Sequence, residues 1–192
     1  MHNRKYTIVI PNYNSEKTII KCLDAVLNID EKERTEVIIC DNMSTDNCLD
    51  LIKEYQINLI TNNSIQTAGY TRNLGAINAK NDYLIFIDSD VVTRKDLISK
   101  IDKEFSSKDI SCITGIFSVY NPYSDFFSQY KTLYANYKFL LATKNVLNSG
   151  IMAIKKSVFF DVGMFDDKLL HSEDDQLSLK LTEKKYNIYL KK

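Results

Sequence analysis

The chain has 192 residues, with 25 basic and 25 acidic side chains and a formal net charge of zero. Hydrophobic residues make up 44% and charged residues 26%, which excludes a disordered, collagen-like or small disulfide-scaffold protein. No positive excess exists to bind nucleic acid by phosphate neutralisation, and at about 150 residues per domain the length fits one domain over 1–192.

Apolar runs such as Leu84 to Ile87 fall far short of the roughly 20 residues a membrane helix needs. The first residues lead straight into a strand-like segment, so neither a signal peptide nor a membrane span is expected. Cys22, Cys40, Cys48 and Cys112 form no Cys-x-x-Cys pair, which points to reduced, buried thiols and a cytoplasmic setting. His2 and His171 have no cysteine neighbours at ligand spacing, which argues against zinc.

Tyr6 to Ile10 is a β-branched run stopped by Pro11-Asn12, and Ile19, Ile20, Leu23 and Val26-Leu27 recur at helical spacing after Ser15. Glu36 to Cys40 predicts a second strand, followed by the polar loop Asp41 to Asp46 and a helix carrying Leu49, Ile52 and Tyr55. Ile57 to Thr61 is a third strand, Thr71 to Lys80 a helix, and Tyr83 to Ile87 a strand apolar on both faces, as buried parallel strands are. The pattern continues with a helix over Lys95 to Phe105 and a strand over Ile110 to Ile116. An aromatic-rich segment from Tyr120 to Leu141 follows, then a strand over Ser149 to Ile154, helices over Lys156 to Val162 and Asp174 to Lys184, and a last segment Tyr186 to Leu190. Strands alternating with helices imply an α/β fold with a central, mostly parallel sheet. About 1–92 reads as a Rossmann-like nucleotide-binding half, and about 93–192 as the half that completes the site.

Open parallel sheets bind ligands at the carboxyl ends of their strands. Those positions are polar here: Pro11-Asn12-Tyr13-Asn14, Asp41 to Asp46, and Asp88-Ser89-Asp90. Two carboxylates at the end of a fully apolar strand repel one another unless a cation joins them. Magnesium or manganese suits that donor set, taking one or two carboxylates and completing its shell with water and phosphate oxygens. A solvated loop or a helix cap is the bland alternative for an isolated Asp-x-Asp.

Ile8 to Asn14, Asp41 to Asp46, Arg72-Asn73-Leu74-Gly75 and Asp88-Ser89-Asp90 occur in the order and spacing of family 2 glycosyltransferases. The match continues through Gly150, Val162 to Asp167, and Ser172 to Leu177, so the chain resembles that family, with its GT-A fold, over nearly its whole length. The resemblance implies an inverting, metal-dependent transferase. It would move a sugar from a nucleotide diphosphate donor to a hydroxyl of a glycan or lipid-linked acceptor in cell-surface polysaccharide synthesis.

By the same resemblance, Pro11 and Tyr13 would flank the nucleobase, Arg72 would sit near base or phosphate, Asp88 with Ser89 would contact the donor, and Asp90 would bind Mn2+ or Mg2+. Asp174 would be the catalytic base and Gly150 would face the acceptor, while Glu173 either orients the acceptor or solvates its loop. Asp41 would accept a hydrogen bond from a pyrimidine ring N–H, which uracil offers and cytosine lacks, so a UDP-sugar is the expected donor.

Asp174 opens the last predicted helix, where the macrodipole favours the ionised form a base needs; the plain alternative for Asp174 and Asp175 is that of ordinary first-turn acids. His171 is a further candidate metal or phosphate ligand, against the commoner surface histidine. Arg72 carries a fork suited to phosphate or a base carbonyl, against a helix-surface salt bridge. Phe126, Tyr130, Leu133, Tyr134 and Tyr137 share a helical face. Core packing is its default explanation, with a sugar-stacking lid, a homodimer contact or peripheral membrane association as alternatives.

Asn42-Met43 stand where the family often has Asp-Gly, Met164 where Gly is frequent, and Lys155-Lys156 where arginines are common. The chain has no tryptophan, hence no Gln-x-x-Arg-Trp motif, which disfavours processive polymer synthesis. With the chain stopping at Lys192, acceptor-binding elements are expected to be incomplete. Two other readings compete. Nucleotidyl transfer to a sugar phosphate calls for a Gly-rich basic loop after the first strand, which Pro11 to Asn14 does not provide. A catalytically inactive nucleotide-binding partner would bind donor with Asp174 inert.

Overall fold

β1 (Tyr6–Asn12) and β4 (Tyr83–Ile87) lie side by side and are buried almost throughout. The structure, a computed structural model, describes residues 4–107, 109–116 and 146–191, together with Phe126, Tyr130, Leu133 and Tyr137. The remaining strands are β2 (Thr35–Asp41), β3 (Asn58–Thr61), β5 (Cys112–Gly115), β6 (Ile151–Lys155) and β7 (Ile188–Lys191). They form a seven-stranded sheet in the order β3-β2-β1-β4-β6-β5-β7. β3, β2, β1 and β4 run parallel, β6 pairs antiparallel with both β4 and β5, and β5 pairs parallel with β7. The expected α/β architecture with a mostly parallel sheet is therefore present, and β6 supplies its reversed strand.

Alternate residues of the central strands feed two cores, as a period of two requires. Ile8, Ile10, Ile85 and Ile87 face α1 (Ile19–Leu27) and α4 (Leu97–Ser107) on one side. Val9, Leu84 and Phe86 join residues of α3 (Ala68–Asn78), α5 (Lys156–Asp161) and α6 (Glu173–Glu183) on the other. α2 (Cys48–Lys53) completes the first face through Cys48 and Ile52. α3 approaches β1 closely because of Gly75: a Cβ there would stand 2.3 Å from Val9 Cγ1 and 3.0 Å from Cys40 Sγ.

Differences from the sequence reading have local causes. β1 runs on through Pro11, which lies opposite Cys40, to Asn12 opposite Asp41; proline tolerates this at a strand end, where one missing N–H interrupts little of the ladder. α3 begins at Ala68, ahead of the expected Thr71, because Thr67 Oγ1 caps it by accepting from Tyr70 N at 3.1 Å. Core packing does not hold for Phe126, Tyr130, Leu133 and Tyr137, which are helical and 57–74% exposed. Tyr134, the remaining member of that face, lies outside the described residues. All four cysteines are free and buried, and burial pushes the Cys22 and Cys40 thiols up to about 12. No helix among the described residues is long and apolar enough to cross a membrane.

Candidate active site

Chain order along the sheet reverses at β1, whose neighbours are β2 and β4. A crevice opens where the carboxyl ends of two such strands part. It is lined by Pro11, Asn12, Tyr13 and Asn42 at one end, Ala68, Thr71 and Arg72 along the α3 wall, and Asp88, Ser89 and Asp90 at the other, with a volume of about 250 Å³. The residues after β1 and β4 singled out in the sequence thus meet in one cleft. Tyr13 is half exposed at its mouth.

Asp41 does not line this cleft. It is fully buried, and its carboxylate accepts from Asn12 Nδ2 at 2.8 Å, Ser44 Oγ at 2.5 Å and Ser44 N at 3.1 Å. These bonds fold the loop after β2 back on itself. Asn14 Oδ1 fastens the same loop by accepting from Thr45 N at 2.8 Å. Asp41, expected to read the base, holds the loop through these bonds from beneath the cleft lining. Asn42, one residue on, is the polar group of this loop that reaches the cleft wall. Met43 adopts a left-handed φ of 62°, so the turn keeps a conformation that favours glycine even with methionine in place.

Arg72 is 4% exposed and joins the two halves of the chain. Its Nη2 donates to Asp88 Oδ1 at 2.6 Å, and its Nη1 to Glu173 Oε1 at 2.9 Å. Ser149 Oγ donates to the same Glu173 oxygen at 3.3 Å. The salt bridge weighed for Arg72 exists, buried in the cleft wall instead of on a helix surface. Gly150 belongs to the same cluster: a Cβ there would lie 2.7 Å from Asp88 Oδ2, so only glycine leaves the carboxylate its position. Its immediate neighbour is thus the donor-side Asp88.

Asp174 sits in the first turn of α6 beside Glu173 and outside the lining of the cleft. Burial, with the neighbouring Glu173 charge second, raises its carboxyl above the ordinary carboxylate value. Its own hydrogen bonds to backbone N–H groups, such as Asp175 N at 2.9 Å, offset this only in part. The helix N-terminus therefore does not dominate, contrary to the sequence argument. His171 is exposed and does not line the cleft.

Among the described residues no group of three or more His, Cys, Asp or Glu side chains is arranged to hold an ion alone. The donor set at the Asp88 to Asp90 end still fits Mg2+ or Mn2+, which bind through one or two carboxylates and take further oxygens from water and phosphate. Asp90 is exposed there, and Asp88 gives one oxygen to Arg72. Sequence reasoning passed over Ser149 and Asn62. Asn62 directly follows β3 on the carboxyl rim, a position that would have flagged it.

The family described as Glycosyl transferase family 2 matches residues 7–165. A glycosyltransferase of Bacillus subtilis, YfnE, described as uncharacterized, is 32% identical over 131 residues, 65% of this chain and 33% of that protein. A dolichyl N-acetyl-α-D-glucosaminyl phosphate 3-β-D-2,3-diacetamido-2,3-dideoxy-β-D-glucuronosyltransferase of Methanococcus voltae is 28% identical over 181 residues, 88% of this chain and 54% of that protein. The chain thus spans a third to about half of these relatives. A mannosyltransferase of Pyrobaculum calidifontis, solved with GDP-Man and Mn2+, superposes with a TM-score of 0.80 at 16% identity, over 100% of this chain and 55% of that one. TarS of S. aureus, solved with UDP-GlcNAc, gives 0.73 at 21% identity, over 98% and 59%. These likenesses show that the fold is that of GT-A glycosyltransferases.

Proposed function

The chain belongs to glycosyl transferase family 2, and on that premise we propose that its cleft binds a nucleoside diphosphate sugar and passes the sugar, with inversion, to a hydroxyl of a glycan or lipid-linked acceptor. One observation carries this reading. Arg72 ties Asp88, at the donor cleft, to Glu173, the immediate neighbour of Asp174, so donor groups and a candidate base are held in one rigid cluster.

In this reading Pro11 and Tyr13 hold the base, Asp88 and Ser89 contact ribose or sugar, and the diphosphate lies toward Asp90. Asp90 would hold Mg2+ or Mn2+, which when bound would stabilise charge developing on the leaving phosphate. Asp174 takes the proton of the acceptor hydroxyl. The oxygen forms its bond to the anomeric carbon from the face opposite the leaving group, the carbon–phosphate-oxygen bond breaks, and the nucleoside diphosphate departs. A raised carboxyl value suits this step, because proton transfer is most effective when the base titrates nearer the working pH. Two solved structures of this fold hold UDP-GlcNAc and GDP-Man, which supports the donor class.

The test is to supply UDP-, CDP- and GDP-sugars with Mn2+ and acceptor glycans or lipid-linked sugars, and to follow nucleoside diphosphate release and product anomeric configuration by NMR. Release with inverted product is expected. Donor binding with no release in any combination would favour the inactive nucleotide-binding partner.

A further inference from the structure

Ser149 lies in a buried turn from Asn148 to Ile151 that leads into β6, where Ile151 stands opposite Ile87 at the carboxyl end of β4. Asn148 builds that turn. Its O accepts from Ile151 N at 3.2 Å, and its Oδ1 accepts from Gly150 N at 3.1 Å, the local side-chain bond with which asparagine shapes a turn. Its own N–H donates to Thr114 Oγ1 on β5 at 2.9 Å, which anchors the turn to the sheet. The turn then touches both sides of the Arg72 cluster. On the donor side Gly150 O accepts from Asp88 N at 3.1 Å. On the other side Ser149 Oγ donates to Glu173 Oε1 at 3.3 Å, the oxygen that Arg72 Nη1 also holds at 2.9 Å. With Arg72 Nη2 on Asp88 Oδ1 at 2.6 Å, the contacts close a ring through Asp88, Arg72, Glu173, Ser149 and Gly150.

We infer that Ser149 is a positioning residue for the transfer: its hydroxyl, by holding Glu173 against Arg72, fixes the first turn of α6 and with it the carboxylate of Asp174. This rests on the reading proposed above, in which Asp174 takes the proton of the acceptor hydroxyl. Arg72 alone leaves the Glu173 side chain free to swing along the edge of the guanidinium. A second donor that reaches the same oxygen from another element of the fold removes that freedom. Asp174 follows Glu173 directly in α6, and the Ser149 N–H also donates to its carboxylate. The serine thus steadies both members of the pair. It lies outside the lining of the cleft, so its hydroxyl acts on the geometry of proton transfer and not on the hold of the nucleotide. That geometry is demanding, since a base must stand within hydrogen-bond reach of the proton it takes, and a misplacement of about 1 Å can cost about 10² in rate.

The experiment compares wild type, Ser149→Ala and Ser149→Thr in the transfer assay above with UDP-, CDP- and GDP-sugars in Mn2+. Nucleoside diphosphate affinity is measured by calorimetry, with melting temperature as a folding check. Ser149→Ala is expected to keep that affinity within about twofold while kcat falls by about tenfold. Ser149→Thr, which retains the hydroxyl, should recover most of the rate. An alanine variant with wild-type kcat overturns the inference, as does a folded threonine variant as slow as alanine. Equal losses of affinity and rate overturn it too, because they would assign the serine to the donor cleft. The link through Glu173 has its own test, which decides the matter if threonine does not fold at so buried a site. With Glu173→Ala already in place the hydroxyl has nothing to hold, so adding Ser149→Ala should change kcat by less than about twofold; a further loss of about tenfold overturns the link. Wild type that binds nucleotide but turns over no donor removes the transferase reading and the role of Ser149 with it. Active wild type matched by the alanine variant removes Ser149 alone.

Discussion

Arg72 Nη1 and Glu173 Oε1 stand 2.9 Å apart, linking α3 of the first half to the first residue of α6. The guanidinium is nearly dry and also holds Asp88. Arg72→Met would leave Glu173 without its cation in a partly buried site, with an expected loss of about 3–5 kcal/mol. Arg72→Lys should not rescue activity, because an ammonium lacks the planar fork that spans both carboxylates. Urea denaturation with parallel transfer assays checks both, and a Lys variant of wild-type stability and rate would contradict the bridging role.

Asp174 should separate binding from chemistry. Asp174→Asn is expected to retain nucleotide affinity while turnover falls by about 10²–10⁴. A base must be deprotonated to act, so a raised carboxyl value means that activity declines with falling pH from above the ordinary aspartate range. The Glu173 charge contributes to that elevation. Glu173→Gln should therefore move the acid limb of the kcat profile to lower pH, and a shift to higher pH would contradict this electrostatic ordering.

At the opposite end of the sheet Asp102 accepts from Tyr6 OH at 2.5 Å and from Arg34 Nη2 at 2.6 Å. Burial alone would raise its carboxyl, but these bonds and Arg4 outweigh burial and hold it below the usual value. A depressed folded-state value contributes stability above the unfolded value, and that contribution is lost as pH falls through the folded one. Asp102→Asn should cost about 1.5–3 kcal/mol at neutral pH and flatten the acid side of the stability profile. Melting curves between neutral and strongly acidic pH provide the check; an unchanged acid slope would remove Asp102 from that role.

Gly75→Ala tests the contact between α3 and β1. A methyl group 2.3 Å from Val9 Cγ1 has no room, and overpacking of this kind costs about 1–3 kcal/mol. Chemical denaturation should show that loss, and a stability equal to wild type would mean that α3 shifts freely on the sheet.

The strands were legible because β1 and β4 are buried on both faces and carry unbroken apolar runs, and the rim followed from where those runs end. Side-chain roles were less legible. Asp41 and Asn42 are adjacent in the chain, yet one is consumed by Ser44 and Asn12 while the other reaches the cleft; only the loop geometry distinguishes them. Asn42 Oδ1 accepts from Asn62 Nδ2, 20 residues later, a pairing that no local pattern encodes. Met43 and Met164 look like departures from a glycine pattern, but both hold positive φ, 62° and 57°, so the turns survive the substitution. The helical face of Phe126, Tyr130, Leu133 and Tyr137 has the spacing of a core face and is exposed. Periodicity reports that side chains share a face, not what covers it.

The most direct measurement is the thermal stability of the wild-type chain and of Asp90→Asn with nucleoside diphosphate, with and without Mn2+. A ligand that binds only the folded state raises the melting temperature by mass action. Nucleotide and Mn2+ together should raise it more in wild type than either alone, and Asp90→Asn should lose that joint increment while keeping its own unliganded melting temperature. An equal increment in both proteins would remove Asp90 from the metal site, and no increment with any nucleotide would contradict a donor cleft between β1 and β4.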